Sequence, residues 1–305
     1  MAETMSILIV GGTGMIGGYT ALSLRFRGHS ITLASRHPPK GVPLLEQFPF
    51  ISIDYVTGGY TQDVLASFDT IIFTAGADVR HVPQDHPANK CFLQASEALV
   101  KFASLARDAG VKRFIHVGSF YPHIAPELAT TDPYVRSRKL AADGIISLAG
   151  PGFHACSLDA PFVVGIVPGM KVPMFVTYTQ YARGKLGIPY YAPIGSTNFI
   201  SVQSLASAIT AALHNSESVS GRSILLGDEN LTFSEYLGLF FSAAGEEIIL
   251  PALEKEHPLI PESSLYAGRN VEYEPDEQDT KLLGGYQGHD IRDVVHGIVR
   301  EYQSL

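Results

Sequence analysis

The chain has 305 residues, 46% of them hydrophobic and 17% charged, and a formal charge of −8. That length can bury a substantial core in one large domain or two modest ones, and the acidic balance argues against nucleic acid as the main partner. No stretch of about 18 apolar residues is free of Gly, Pro or charge, so no membrane span is expected. The N-terminus lacks a basic segment and a separate apolar segment ahead of a cleavage site, so no signal peptide is expected. The two cysteines, Cys91 and Cys156, suit a reducing, cytoplasmic setting better than a disulfide framework.

In chain order, the first half alternates short β-branched runs with longer helical patterns, as in a parallel sheet built from βαβ units. Strands are expected at Ser6–Val10, Ser30–Ala34, Phe50–Ile53, Thr70–Thr74, Arg113–Val117 and His154–Leu158. Each is a compact apolar run, as expected where helices cover both faces of a strand. The clearest helix runs from Cys91 to Ala109, with Leu93, Leu99, Phe102 and Leu105–Ala106 at helical spacing and Gly110 as its stop. The breaker-rich Pro161–Gly169 segment marks where the chain leaves the main sheet. From Val172 to Pro193 the pattern loosens into Tyr, Gly and Pro. Asn198–Leu213 then reads as a strand followed by a helix, and Ser223–Leu226 as a further strand. Thr232–Ala244 reads as a helix with Thr232 as N-cap and Glu235 three residues on. Asp290–Tyr302 reads as a last amphipathic helix capped by Asp290. The expected architecture is α/β, a doubly wound parallel (Rossmann) sheet with a smaller C-terminal α/β substrate lobe. A dinucleotide-binding domain would span residues 1–165 and the lobe 166–305, with 198–215 and 221–227 returning to the main sheet.

The first strand runs straight into Gly11-Gly12-Thr13-Gly14-Met15-Ile16-Gly17-Gly18. A strand turning through glycines into a helix brings backbone N–H groups and a positive helix end to a pyrophosphate. In that reading Gly11 makes the turn, Gly14 lets the phosphates approach, and Gly17 lets helix pack on strand. A lone glycine triplet is a weak signal, but this one has the required strand before it and helix after it. Proteins that prefer NAD place an acid near the end of the second strand to hold the ribose 2′-OH. Here the chain reads Ala34-Ser35-Arg36-His37 with no acid, and Arg36 suits a 2′-phosphate. NADP(H) is therefore expected over NAD(H).

With Gly11–Gly17, Asp54, Thr74-Ala75-Gly76, Val111–Phe114, Ser119, Pro133–Ser137, Pro161–Gly165, Asn198–Val202 and Thr232–Tyr236 in order, the chain resembles the extended short-chain dehydrogenase/reductase superfamily. Within it the chain is similar to the NAD-dependent epimerase/dehydratase and 3β-hydroxysteroid dehydrogenase groups. The resemblance implies that Asp54 accepts a hydrogen bond from the adenine amino group and that Ala75-Gly76 lies along the adenosine ribose. It also implies that the backbone of Pro161, Phe162 and Val163 faces the nicotinamide carboxamide, with the loop residues Gly11, Thr13, Gly14, Met15, Ile16 and Gly17 holding the cofactor at its pyrophosphate. Ser119 would bind the substrate oxygen and Tyr134 would carry its proton, which at neutral pH requires nearby positive charge.

One departure stands out. The family places a lysine four residues after the tyrosine, and here that position is Arg138, with Lys139 next. On a helix the i+4 position is rotated about 40° from i and the i+5 position about 140°. Arg138 therefore inherits the role unless the helix bulges, with a bulkier fork that never deprotonates. His116 reads as a core histidine, and His81, His86 and His123 lack metal-ligand spacing, so no metal is expected. Tyr121 and His123, close after Ser119, suit either the substrate pocket or loop packing.

These readings converge on an NADP(H)-dependent oxidoreductase interconverting a carbonyl and a secondary alcohol. The Tyr-, Phe- and Ile-rich second half points to an apolar or aromatic small-molecule substrate. A sugar-nucleotide epimerase or dehydratase is the enzymatic alternative; it needs cations for a diphosphate, and residues 168–193 offer Lys171, Arg183 and Lys185. A non-catalytic NADP(H)-binding redox sensor or scaffold is the alternative from another class, kept open by Arg138. A homodimer is the assembly left open.

Overall fold

The computed structural model describes residues 4–76 and 88–304; His81 and His86 lie outside the described residues. The strands are β1 (Ser6–Val10), β2 (Ser30–Ser35), β3 (Phe50–Ser52), β4 (Thr70–Phe73), β5 (Arg113–Ser119), β6 (His154–Ala160) and β7 (Phe162–Val164). They continue with β8 (Ala192–Pro193), β9 (Ser196–Ser201), β10 (Ser223–Leu225), β11 (Glu229–Thr232), β12 (Ala252–Leu253) and β13 (Asn270–Val271). Helices α1 (Met15–Phe26), α2 (Pro43–Glu46), α3 (Gln62–Leu65), α4 (Ala88–Asp108), α5 (Tyr121–Ile124), α6 (Leu128–Thr131) and α7 (Pro133–Ser147) occupy the first half. Then come α8 (Pro173–Ala182), α9 (Val202–His214), α10 (Ser216–Val219), α11 (Phe233–Ala243), α12 (Glu277–Leu282) and α13 (Ile291–Tyr302).

The main sheet has the order β10-β6-β5-β4-β1-β2-β3, with every neighbouring pair parallel. Reversal of strand order between β1 and β4 opens a crevice at the carboxyl ends of the strands, where open α/β sheets bind ligands. Alternation along β1 feeds both faces. Ile7 and Ile9 join Leu24, Leu205 and Ile209 on the α1/α9 side, while Leu8 and Val10 join Phe73, Phe102, Phe114 and Ile145 on the α4/α7 side. The sheet is thus covered on both sides, which explains why its strands read as unbroken apolar runs.

Pro161 ends β6, because a residue without an N–H cannot extend the ladder. The chain bends there into β7, which pairs in parallel with β9. Around β9 forms a second sheet with β11 antiparallel and β13 parallel. The expectation that residues 198–215 return wholly to the main sheet is therefore corrected. Strand β10 takes the free edge of β6 and α9 covers the main sheet, whereas β9 is held by β7 in the second layer. A largely aromatic core, with Phe175, Tyr181, Phe233, Phe240 and Phe241, joins this sheet to α8, α11 and α13. Helix α8 forms where the sequence pattern had loosened, with Phe175, Tyr178 and Tyr181–Ala182 forming its buried face.

Of the two helix starts expected in the lobe, one is capped as its sequence predicts and the other is not. Thr232 accepts the Glu235 N–H at 3.1 Å while the Glu235 carboxylate takes the Thr232 N–H at 2.8 Å, a complete capping box. The cap expected from Asp290 is absent: its side chain makes no cap bond, and the Ile291 N–H is taken by Glu229 Oε1 at 2.9 Å. The partner lies on β11, beyond the reach of any local sequence rule.

Candidate active site

The glycine loop leaves β1 at the crevice. Gly11 has φ of +85°, and a Cβ there would fall 2.6 Å from the Ala75 nitrogen. Its own N–H is anchored on the Ala34 carbonyl at 2.8 Å. A Cβ on Gly17 would fall 2.4 Å from the Gly11 carbonyl oxygen, so this glycine lets α1 press against the turn. Gly14 differs from both. It is exposed, its φ is −88°, and a Cβ would meet only the Gly11 oxygen at 3.4 Å. Nothing among the described residues demands a glycine there, whereas a pyrophosphate lying on the loop would. Gly14 also begins α1 without a side-chain cap, which leaves the positive end of a 12-residue helix, at half-buried Met15 and Ile16, open to an anion. These residues fit a dinucleotide.

At the rim, the Thr13 N–H reaches Ser35 Oγ at 3.4 Å, tying the loop to the end of β2. Arg36 follows and is exposed. Asp54 closes a turn after β3, with Oδ1 accepting the Val56 N–H at 3.0 Å and its backbone paired with Gly58. Thr74 Oγ1 donates to the Val10 carbonyl at 3.0 Å, which seats the Ala75-Gly76 turn directly against Gly11.

Helix α7 begins with Asp132 as N-cap, its Oδ1 on the Val135 N–H at 2.8 Å, and with Pro133 in the first turn. It is α-helical throughout, with no bulge. Lys139 consequently faces solvent and pairs with Asp143 at 2.8 Å. Arg138 turns inward. Its Cζ lies 4.6 Å over the Tyr134 ring, and its terminal nitrogens lie 3.1 and 3.4 Å from where a Cβ on Gly76 would sit. Gly11, the Ala75-Gly76 turn, Arg138 and Tyr134 therefore form one continuous run of contacts from the glycine loop to the tyrosine.

Ser119 closes β5, largely buried, opposite Ala160. The next residues wall the site with rings. Tyr121 and Phe92 meet Tyr134 edge-on at 6.1 and 5.4 Å, and Tyr266 from the second lobe lies parallel to it at 4.1 Å. Phe120 touches Phe162 at 6.0 Å; Pro161 is buried and Val163 half-buried beside it. Burial pushes the Tyr121 hydroxyl far above its ordinary range, so it remains a neutral donor, and it donates to the Ser264 carbonyl at 3.2 Å.

Behind Ser119 runs a buried polar chain. Asp159, 1% exposed on β6, receives Ser157 Oγ at 2.6 Å and His123 Nε2 at 2.8 Å, and Ser223 Oγ donates to the same carboxylate. A Cβ on Gly118 would fall 1.9 Å from Asp159 Oδ1, so the glycine makes room for the acid. His116 Nδ1 lies 2.9 Å from Ser157 Oγ, and burial lowers its pKa to about 4, with Asp159 opposing and Arg138 adding to the shift. Among the described residues no group of His, Cys, Asp and Glu is arranged to hold a metal, and no helix is long and apolar enough to cross a membrane. Tyr266 and Asp159 were not singled out from sequence. Tyr266 is an isolated aromatic in a breaker-rich segment, and Asp159 sits in an apolar strand whose partners are 36 and 64 residues away.

The model of the NAD dependent epimerase/dehydratase family matches residues 7–227. The chain belongs to this family. No curated protein matches the sequence. Among solved structures, UDP-N-acetylglucosamine 4-epimerase from Bacillus cereus is similar at 15% identity and a TM-score of 0.73, over 99% of this chain and 98% of the other. UDP-glucose 4-epimerase from Bifidobacterium longum, solved with NAD+ and UDP, is similar at 18% identity and 0.73, over 98% of each chain. TunA, an NAD-dependent NDP-hexosamine 5,6-dehydratase, gives 16% and 0.74 over 99% of each. Likeness at such identities shows the shared fold. Membership places the chain in a nicotinamide-dinucleotide-dependent enzyme family, and it favours the epimerase/dehydratase reading over a free carbonyl–alcohol oxidoreductase.

Proposed function

We propose that this protein binds a nicotinamide dinucleotide on the glycine loop and acts on a carbon bearing a secondary hydroxyl, as a sugar-nucleotide epimerase or dehydratase does. The observation that supports the reading is the unbroken path from Gly11 through Ala75-Gly76 and Arg138 to Tyr134, which suits a proton carrier working beside a bound dinucleotide. Bound there, the nicotinamide would take up and return a hydride. The N–H groups of Met15 and Ile16 would hold the pyrophosphate. Arg138 would hold ribose hydroxyls and keep positive charge against Tyr134. Ser119 would orient the substrate hydroxyl, and Tyr134 would take its proton and give it back. Dehydration needs a second acid or base to remove a C–H proton and release water. Epimerisation needs no such group, so the two activities differ in what they ask of the site beyond Ser119 and Tyr134.

The same aromatic wall supports a second reading, carbonyl–alcohol interconversion on an apolar or aromatic small molecule, since such pockets are mostly apolar with few polar anchors. Arg36, exposed beyond a β2 end without an acid, supports NADP(H) in that case. One experiment separates the two. Sugar nucleotides incubated with the protein and catalytic cofactor, followed by proton NMR, should interconvert with no net change in cofactor. Net NADPH oxidation with apolar ketones, and inert sugar nucleotides, would favour the second reading instead.

A further inference from the structure

Resting on the reading of Tyr134 as the proton carrier, we infer that Tyr266, from the second lobe, is a positioning residue for that tyrosine. The Tyr266 ring lies 4.1 Å from the Tyr134 ring at an interplanar angle of 7°. Arg138 Cζ lies 4.6 Å over the same ring. Tyr134 is therefore packed against both an aromatic plane and a guanidinium. Phe92 and Tyr121 close the sides edge-on. Packed against these four groups, the ring loses the freedom to swing about χ1 and χ2, which fixes the line along which its hydroxyl meets a substrate oxygen. An aromatic pair of this kind is worth more than the area it buries.

The segment bearing Tyr266 is built to hold it there. Leu265 is buried in the lobe's aromatic core. The Ser264 carbonyl accepts from Tyr121, and Glu262 pairs with Arg269. The Arg269 carbonyl accepts the Ser196 N–H at 2.8 Å and fills the space above Gly195, where a Cβ would fall 2.2 Å from it. The stack therefore joins a ring fixed by the first lobe to a ring fixed by the second. A shift of the lobe on the main sheet would loosen Tyr134 directly, giving the second lobe control over the proton carrier.

Fluorine NMR on protein carrying 3-fluorotyrosine tests this without a known substrate, the Tyr134 resonance being assigned by its loss in Tyr134→Phe. We expect one narrow Tyr134 resonance in the native protein, which moves when NADH is added. In Tyr266→Leu it should shift, broaden or split, while the NADH dissociation constant stays within about threefold. Tyr266→Phe, which keeps the ring, should restore the native resonance. Tyr266→Met serves as a second variant of similar bulk without a ring face should the leucine variant fail to fold. A Tyr134 resonance indifferent to loss of the Tyr266 ring would overturn the inference and leave cofactor binding intact. Failure of the native protein to bind NADH or NADPH would instead sink the proposed function and leave the stack as it is.

Discussion

Tyr134→Phe removes one hydroxyl and keeps the ring that Arg138 and Tyr266 hold, so it isolates proton transfer from packing. On any substrate the protein turns over, the rate should fall by roughly 10²–10⁴ while cofactor affinity is unchanged; unchanged turnover would remove Tyr134 from the chemistry. Arg138→Lys should retain turnover, because a lysine on the same helix face still brings positive charge to the tyrosine. Lys139→Ala should behave as native, since that side chain pairs with Asp143 at the surface. Loss of activity in Lys139→Ala with an unharmed Arg138→Ala would contradict the regular helix seen over Pro133–Ser147. At this scale the site was legible wherever chemistry depends on spacing along one element. The four-residue step from Tyr134 to Arg138 and the three glycines are of that kind. Tyr266 was not, because its meaning lies in a contact across 132 residues of chain, and a single tyrosine beside Ala267-Gly268 carries no period that would reveal it.

At the scale of elements, the first six strands were legible because parallel strands buried on both faces must be apolar throughout. Their ends were less so: β5 and β6 run to Ser119 and Ala160, two residues past their apolar runs, since polar Ser119 and Asp159 are paired or buried by distant partners. Strand β9 was placed in the wrong sheet because its partner, β7, follows a proline bend whose direction depends on packing. Local rules succeeded where both partners are local, as in the Thr232–Glu235 box, and failed for Asp290, whose role passes to Glu229 on another element. Thr232→Ala should cost about 1 kcal/mol of stability, read as a shift of the urea midpoint at constant slope; no shift would mean that the box contributes nothing. The buried histidines give a pH signature. His116 and His257 both have pKa values lowered to about 4 by burial, against about 6.5 in the unfolded chain. The unfolded state thus takes up protons between pH 6.5 and 4 that the folded state refuses, and stability is lost as pH falls through that window. Each histidine should withdraw about 2 kcal/mol between pH 7 and pH 5. A denaturation midpoint that does not fall over that range would show that these imidazoles charge freely in the folded protein.

At the scale of the whole molecule, the main sheet carries the glycine loop at its topological switch point, and the second lobe sets the Tyr266 ring against Tyr134. The account stands or falls on Gly14. Gly17→Val should damage the fold, because a side chain there would collide with the Gly11 carbonyl. Gly14→Val should not, because among the described residues only the Gly11 oxygen, at 3.4 Å, is near, yet it would fill the place where phosphates approach. Calorimetric titration of NADH and NADPH into the native protein and into Gly14→Val, with thermal melting of both, is therefore the most direct test. The account predicts one dinucleotide bound per native chain, tighter by about tenfold or more for NADPH if Arg36 takes its 2′-phosphate. It predicts no binding to Gly14→Val in a protein that still folds and melts cooperatively, with at most the small loss of stability that valine costs at a helix N-cap. Retained affinity in a folded Gly14→Val protein, or no binding of either dinucleotide to the native chain, would contradict it.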